Sequence, residues 1–389
     1  MASRRIVTGI DVGTNQVKVV VTREVRDKNG RVIPRVIGTG LAESKGLRHG
    51  YVIHHDEVVR ALQEAKAEAE RASGIEIKKA FLAIGGSSID ECRATGEAII
   101  SRADAEITEL DIERAKQSAR EALAPLLKNR RVLHEIPLAF RIDGQKIPSH
   151  RPEGLSGTRL EIDILLITCF EQHLHDLVGA VEETGIEIIE EMASPLAGSF
   201  VTLSKEQKVK GCVLANIGAE TVSIVVYEEG IPVSVKVFEA GSTNITEHIA
   251  LELLVSLEDA EKLKLGRFVG AQYSRDKVQK IITKRLTEIF TLIDAHLKSI
   301  GKTQLPAGII LSGGGAGIGA IQDDARNTLE LPARACEVTT EGNTVIKDSS
   351  WAVAYGLTIW GLTGDTDKPH RQSTHLFRSV SSFFKQFLP

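Results

Sequence analysis

The chain has 389 residues, of which 42% are hydrophobic and 26% charged, with a formal net charge of −4. Its length excludes one small domain and supports two of ordinary size, each able to bury its own core. The weakly acidic balance offers no basic field for nucleic acid, and no apolar run reaches the roughly 20 residues of a membrane-spanning helix.

In chain order, "RIVTGIDVG", "QVKVVVTREV" and "RVIPRVIGTG" are three strand-like runs separated by turns, which predicts an opening β-meander. Residues 56–73 place Val58, Val59, Leu62 and Ala65 on one helical face, with Asp56 as the expected N-cap, and "KKAFLAIGG" follows as a buried strand. From 84 to about 165 the character changes. A helix from Thr108 to Leu127 precedes the alternating strands "RVLHEIPLAFRIDGQKI" and "GTRLEIDILLIT", an arrangement that reads as an inserted subdomain. After a helix at "HDLVGAVEETGI", the strand-strand-strand-helix-strand theme repeats from Gly211. The repeat comprises the hairpin "VLANIGAETVSIVVYEEG", the strand "PVSVKVFEAG", helices from Asn244 to Leu265 and the strand "AGIILSGGG". Two halves, each opening on a glycine-turned hairpin, are the main organisational signal. The four cysteines, at 92, 169, 212 and 336, are far apart with no Cys-x-x-Cys pair, and suit a reducing cytosol better than zinc or disulfides. His173 and His175 lie two apart on a predicted helix and face different ways, which argues against a metal pair. The opening "MASRRIVTGI" lacks a signal-peptide core, so the expectation is a protein that stays inside the cell.

The turns carry the candidate chemistry. In "IDVGTNQVK" the N–H groups of Gly13, Thr14 and Asn15 are expected to form a nest for an anion. Asp11 is free to hold a hydrated magnesium and Lys18 to reach a phosphate. The second hairpin turns through Asn216, Gly218, Ala219, Glu220 and Thr221. Downstream, "LSGGGAGIGAI" runs a strand into Gly313, Gly314 and Gly315, where a bare backbone lets an adenosine approach. Glu261 and Lys264, three apart in "AEKLK", either bracket a ribose and base or form a solvated helix face.

In this order the pieces resemble the actin, hexokinase and heat-shock chaperone ATPase fold, an α/β architecture of two ribonuclease-H-like domains clamping ATP. The match is more specific than that. "GLRHGYVIHHDEVVRALQEAKAEAE", "HEIPLAFRIDGQ", "GLSGTRLEIDILLIT", "MASPLAGSF", "AEKLKLG" and "LPAGIILSGGGAGIGAI" resemble the bacterial cell-division actin FtsA over residues 5 to about 362. The resemblance implies domain 1 (1A) over 1–83 and 166–209, a 1C subdomain over 84–165, and domain 2 over 210–362 with its 2B part at about 244–306. It also implies ATP with magnesium, filaments of the chain itself on the inner face of the cytoplasmic membrane, and partners that include the FtsZ C-terminal tail and other division proteins.

Three departures qualify it. The family's second phosphate loop runs aspartate, any residue, three glycines, two threonines and aspartate, whereas here Asn216 replaces the first carboxylate. Glu220 puts a negative side chain where phosphates would lie, unless it points away or toward a metal. Ser194 stands where these folds carry a glutamine or glutamate to orient the attacking water. Both losses predict slow or absent hydrolysis, so any enzymatic activity is expected to be at most a weak ATPase. The 2B segment is short, which predicts a shrunken sheet there, with Lys280, Lys284 and Arg285 left either to meet an acidic tail or simply to face solvent.

After Leu362, the polar stretch 363–374 reads as a linker, and 375–389 reads as an amphipathic helix. Leu376, Phe377, Val380, Phe383, Phe384, Phe387 and Leu388 fall on one face, flanked by Arg378 and Lys385. That face suits the lipid headgroup plane, with docking on the protein's own body or a partner as the other reading. A silent scaffold of another envelope machine, such as the actin-like protein of pilus assembly, is the competing function. A small-molecule kinase is disfavoured because the second-domain loop has no catalytic-base aspartate.

Overall fold

The computed structural model describes residues 5–26, 32–148, 151–267, 274–336 and 348–363. Everything expected of the linker and of 375–389, from Leu376 to Leu388, lies outside the described residues.

Two five-stranded sheets carry the fold. The first runs in the order Val32–Glu43, Gln16–Arg26, Ile6–Val12, Lys79–Ile84, Glu187–Ala193. The second runs Ile231–Phe238, Val222–Glu228, Cys212–Ile217, Ile309–Ser312, Ala333–Ala335. In both, an antiparallel meander is extended on its first strand by two parallel strands. The sequence repeat is therefore a repeat of topology. Val17, Val19, Val20 and Val21 are all buried, because helices cover both faces of the first sheet and leave no solvent side to demand alternation. Pro34, which cannot donate to a ladder, sits in the edge strand Val32–Glu43.

Helix His55–Ser73 packs on one face with Val58, Val59, Leu62 and Ala65 buried. Its N-cap is His54 rather than Asp56. Asp56 lies inside the first turn, where its charge complements the helix dipole. The other face is covered by Ala352–Thr363, the last helix of the stretch counted above with the second half. It packs against the first sheet and against helix Ser194–Thr202, which in turn touches the second sheet. This joint is tight: a Cβ on Gly9 would lie 2.2 Å from the Ala354 carbonyl oxygen, and one on Gly356 would lie 1.9 Å from that of Ala197.

The insert is a four-stranded antiparallel sheet, ordered Asp90–Ile99, Arg159–Phe170, Arg130–Ile142, Gln145–Lys146. Helix Glu109–Leu123 covers it, four residues shorter at its end than expected and started by Thr108, whose side chain pairs with Asp111 in a capping box. Along Arg159–Phe170, Leu160, Ile162, Ile164 and Leu166 face that helix, while Leu165, Ile167 and Cys169 join the main core. The strand period thus welds the insert to the first sheet. Between Ser242 and Ser299 the described residues form three helices, Ser242–Leu253, Leu257–Lys264 and Arg275–Ser299, and no strand. Where a shrunken sheet was expected, the described residues are helical.

Candidate functional site

Asp11 and Lys18 are direct partners across the first hairpin, so their side chains share a face. Burial pushes the Asp11 carboxyl above its ordinary range, partly offset by Lys18. Burial likewise pulls the Lys18 ammonium down, opposed by Asp11 and then by Asp348. The expected three-donor nest is smaller than the sequence implied. Gly13 N–H donates to the Gln16 carbonyl (3.0 Å) to close the turn, which leaves Thr14 and Asn15 at the tip, with the Asn15 carbonyl accepting from Ser44 N–H (3.0 Å).

The second hairpin is built alike. Gly218 N–H donates to the Thr221 carbonyl (2.9 Å), and Asn216 faces Ser223 across the strands. An amide and a hydroxyl therefore occupy the positions that hold carboxylate and ammonium in the first half. The carbonyls of Gly218 and Ala219 accept from Ser242 and Thr243 N–H (2.9 and 2.8 Å), which fixes the tip on the first turn of helix Ser242–Leu253. Lys264 anchors the same turn. It is buried, and its Nζ donates to Thr246 Oγ1 (2.8 Å) and the Ser242 carbonyl (3.2 Å) and pairs with Glu261 (2.6 Å). Thr246 Oγ1 donates to Glu261 as well (2.6 Å). For Lys264 this overturns the solvated-face alternative.

Strand Ile309–Ser312 runs parallel to Cys212–Ile217 and ends beside Asn216. A Cβ on Gly313 (φ 85°) would lie 2.2 Å from Asn216 Oδ1, and one on Gly315 would lie 2.5 Å from Ile217 Cγ2, whereas one on Gly314 would meet nothing within 4 Å. Two of the three glycines therefore serve the packing of this strand end on the second hairpin. Only Gly314 has open space where a side chain would go. Ser349 Oγ donates to the Gly313 carbonyl (3.3 Å), and its neighbour Asp348 is one of the charges acting on Lys18. A corner of the second half thus meets the first hairpin.

Glu220 makes the other crossing. Its carboxylate points away from its own half and accepts the backbone N–H of His49 at 2.6 Å. His49 sits at φ 50°, its carbonyl taken by Ser87 N–H (3.0 Å), and a Cβ on the adjacent Gly50 would lie 2.3 Å from Gly86 Cα. Next along that strand end, Gly85 abuts Ser194, which is buried and whose Oγ would be 3.1 Å from a Cβ on Gly85. His49 and Asp348 were missed from sequence. Gly50 after His49 marks a turn, but nothing local says what the turn touches. On helix Arg275–Ser299, Lys280 and Lys284 are exposed, while Arg285 pairs with Glu288 at 2.7 Å.

Two identically wired sheets, joined by two shared helices and each opening on a glycine-turned hairpin, define the class: an actin-like, two-domain ATPase-type fold. Among solved structures, the PilM–PilN type IV pilus biogenesis complex superposes with a TM-score of 0.69 at 16% identity, covering 92% of this chain and 98% of that one. MreB5 of Spiroplasma citri bound to ADP gives 0.52 at 14%, covering 92% and 97%. At those identities the likeness is one of fold. Sequence comparison is more specific. The model for the SHS2 domain inserted in FtsA matches residues 86–168, and that for cell division protein FtsA matches residues 213–356. Cell division protein FtsA of Bacillus subtilis is 30% identical over 378 residues, which is 92% of this chain and 83% of its own length. The chain belongs to the FtsA family.

Proposed function

We propose that this is an actin-like cell-division protein that binds ATP in the cleft, polymerises on the cytoplasmic face of the membrane and ties the FtsZ ring to it. The observation that carries the nucleotide reading is the pairing of Asp11 with Lys18 on the first hairpin, opposite a second hairpin of the same geometry. Lys18 would meet a phosphate as a point charge. Asp11 would hold the water shell of a magnesium ion, whose contribution when bound is to neutralise phosphate charge. Asn216 and Ser223 are neutral where the first hairpin has a carboxylate and an ammonium, and buried Ser194 is too short to orient a water, so turnover is expected to be slow or nil. Binding of ATP with and without magnesium, with phosphate release from the same sample, tests this. Clear turnover would overturn the silent-chemistry part.

No helix among the described residues is long and apolar enough to cross a membrane. The anchor in this reading is residues 375–389, each apolar side chain contributing on the order of 1.5 to 3 kcal/mol if fully buried. One such helix binds reversibly, and a filament supplies many side by side. Deleting 375–389 is expected to abolish sedimentation with anionic liposomes; undiminished binding would refute the anchor. Capture of an FtsZ C-terminal peptide separates this function from a scaffold of pilus assembly, whose PilM representative shares the fold.

A further inference from the structure

We infer that Glu91 and Arg93 form a clasp between the insert and the second half, and that the two halves separate only when this clasp opens. Strand Asp90–Ile99 is an edge of the insert's sheet, strand Ile231–Phe238 is an edge of the second sheet, and the two edges lie against each other. Side chains join them where a backbone ladder could have done. Glu91 and Arg93 are two apart on one strand and point the same way. The Glu91 carboxylate accepts Val235 N–H at 2.6 Å, the short distance of a charge-assisted bond, and Ser234 Oγ at 3.0 Å. Arg93 donates to the Val233 carbonyl at 2.7 Å and pairs with Glu91 at 3.2 Å. Ser234 is fully buried, and its Oγ lies 2.8 Å from His296 Nε2 on helix Arg275–Ser299. With its one proton given to Glu91, the hydroxyl accepts from His296, which ties that helix into the clasp.

Capping a bare sheet edge would account for one such bond. The setting points to more. Leu165, Ile167 and Cys169 weld the insert to the first sheet, so the insert moves with the first half. The second half meets the first at the tight joint of helices Ser194–Thr202 and Ala352–Thr363, at the bond from His49 to Glu220, and at this clasp. A rotation about the joint displaces the other two contacts together. Glu91 is the member that all of the clasp shares: without it the Val235 N–H and the buried Ser234 hydroxyl both lose their acceptor. The neighbouring bond from Lys236 to Asp90 (3.1 Å) joins groups that are 38% and 49% exposed, and it adds little.

The test is hydrogen exchange at single amides of nucleotide-free, full-length protein, read at Val235 and at His49. The His49 amide belongs to the first half and is held by Glu220 of the second, so it reports the separation of the halves away from the clasp. Glu91→Ala is expected to speed exchange at least tenfold at both amides. Arg93→Ala leaves the acceptor of Val235 in place and is still expected to speed both at least threefold, whereas Asp90→Ala is expected to change either by less than twofold. Faster exchange at Val235 with His49 unchanged would reduce the contact to a local cap and overturn the inference, as would unchanged exchange at both. If Glu91→Ala also speeds the amides of the central strand Cys212–Ile217, the response of His49 to Arg93→Ala decides.

Discussion

Replacing Gly313 by alanine is expected to lower the stability of the second half by about 3 kcal/mol or more, while the same change at Gly314 is expected to cost less than about 0.5 kcal/mol. The two positions are adjacent and chemically identical, so the contrast isolates geometry. At φ 85° and ψ 174° Gly313 occupies a region that only glycine adopts freely, and an added Cβ would lie 2.2 Å from Asn216 Oδ1 and 2.6 Å from the Ile217 carbonyl oxygen. Asn216→Ala in the same background removes only the first clash and is expected to restore only part of the loss. The backbone carbonyl cannot retreat without unpairing strand Cys212–Ile217 from Ile309–Ser312. Thermal midpoints by far-ultraviolet circular dichroism would show the difference, with a fall of about 5 °C or more for Gly313→Ala and little change for Gly314→Ala. Equal falls would mean that the glycine run is not divided as the packing implies.

The same residues show what a sequence reveals and what it conceals. The hairpins, the repeat and the insert were legible because β-branched runs, glycine turns and alternation are local signals, whereas the pairing of Asn216 with Ser223 entered with the strand register of the structure. Helix Ala352–Thr363 was not legible: it is buried on all sides, so its sequence shows no apolar stripe. Lys264 read as half of an exposed pair because nothing local reveals that helix Ser242–Leu253 closes over it. Gly313 and Gly315 looked alike with Gly314 until the second hairpin was placed against them. The direction of Glu220 depends on a residue 171 positions away, and that kind of information enters only with tertiary structure.

Acidification is expected to destabilise the chain through His134. His134 lies on strand Arg130–Ile142 of the insert, and its Nε2 accepts the backbone N–H of Ala193 at 3.0 Å. That bond requires a neutral ring with its proton on Nδ1. Burial, the only cause acting on it, pulls the imidazole from 6.5 down to about 4. With the folded pKa depressed, the folded state favours the neutral ring. Its full stability is present above pH 6.5 and is lost progressively as pH falls toward 4, to a total of about 3 kcal/mol. The linked bond joins the insert to the residue just before helix Ser194–Thr202, so the insert should loosen before the sheets unfold. Other depressed histidines, His173 and His296, add to the same acid limb, so the diagnostic quantity is a difference between two proteins. His134→Gln retains an acceptor for Ala193 N–H and cannot titrate. It is expected to start about 1 kcal/mol lower at pH 7 and to converge on or exceed wild type by pH 4.5. Urea midpoints taken at several pH values for both proteins decide it, and curves that stay parallel would show that His134 is not the group whose protonation opens this joint.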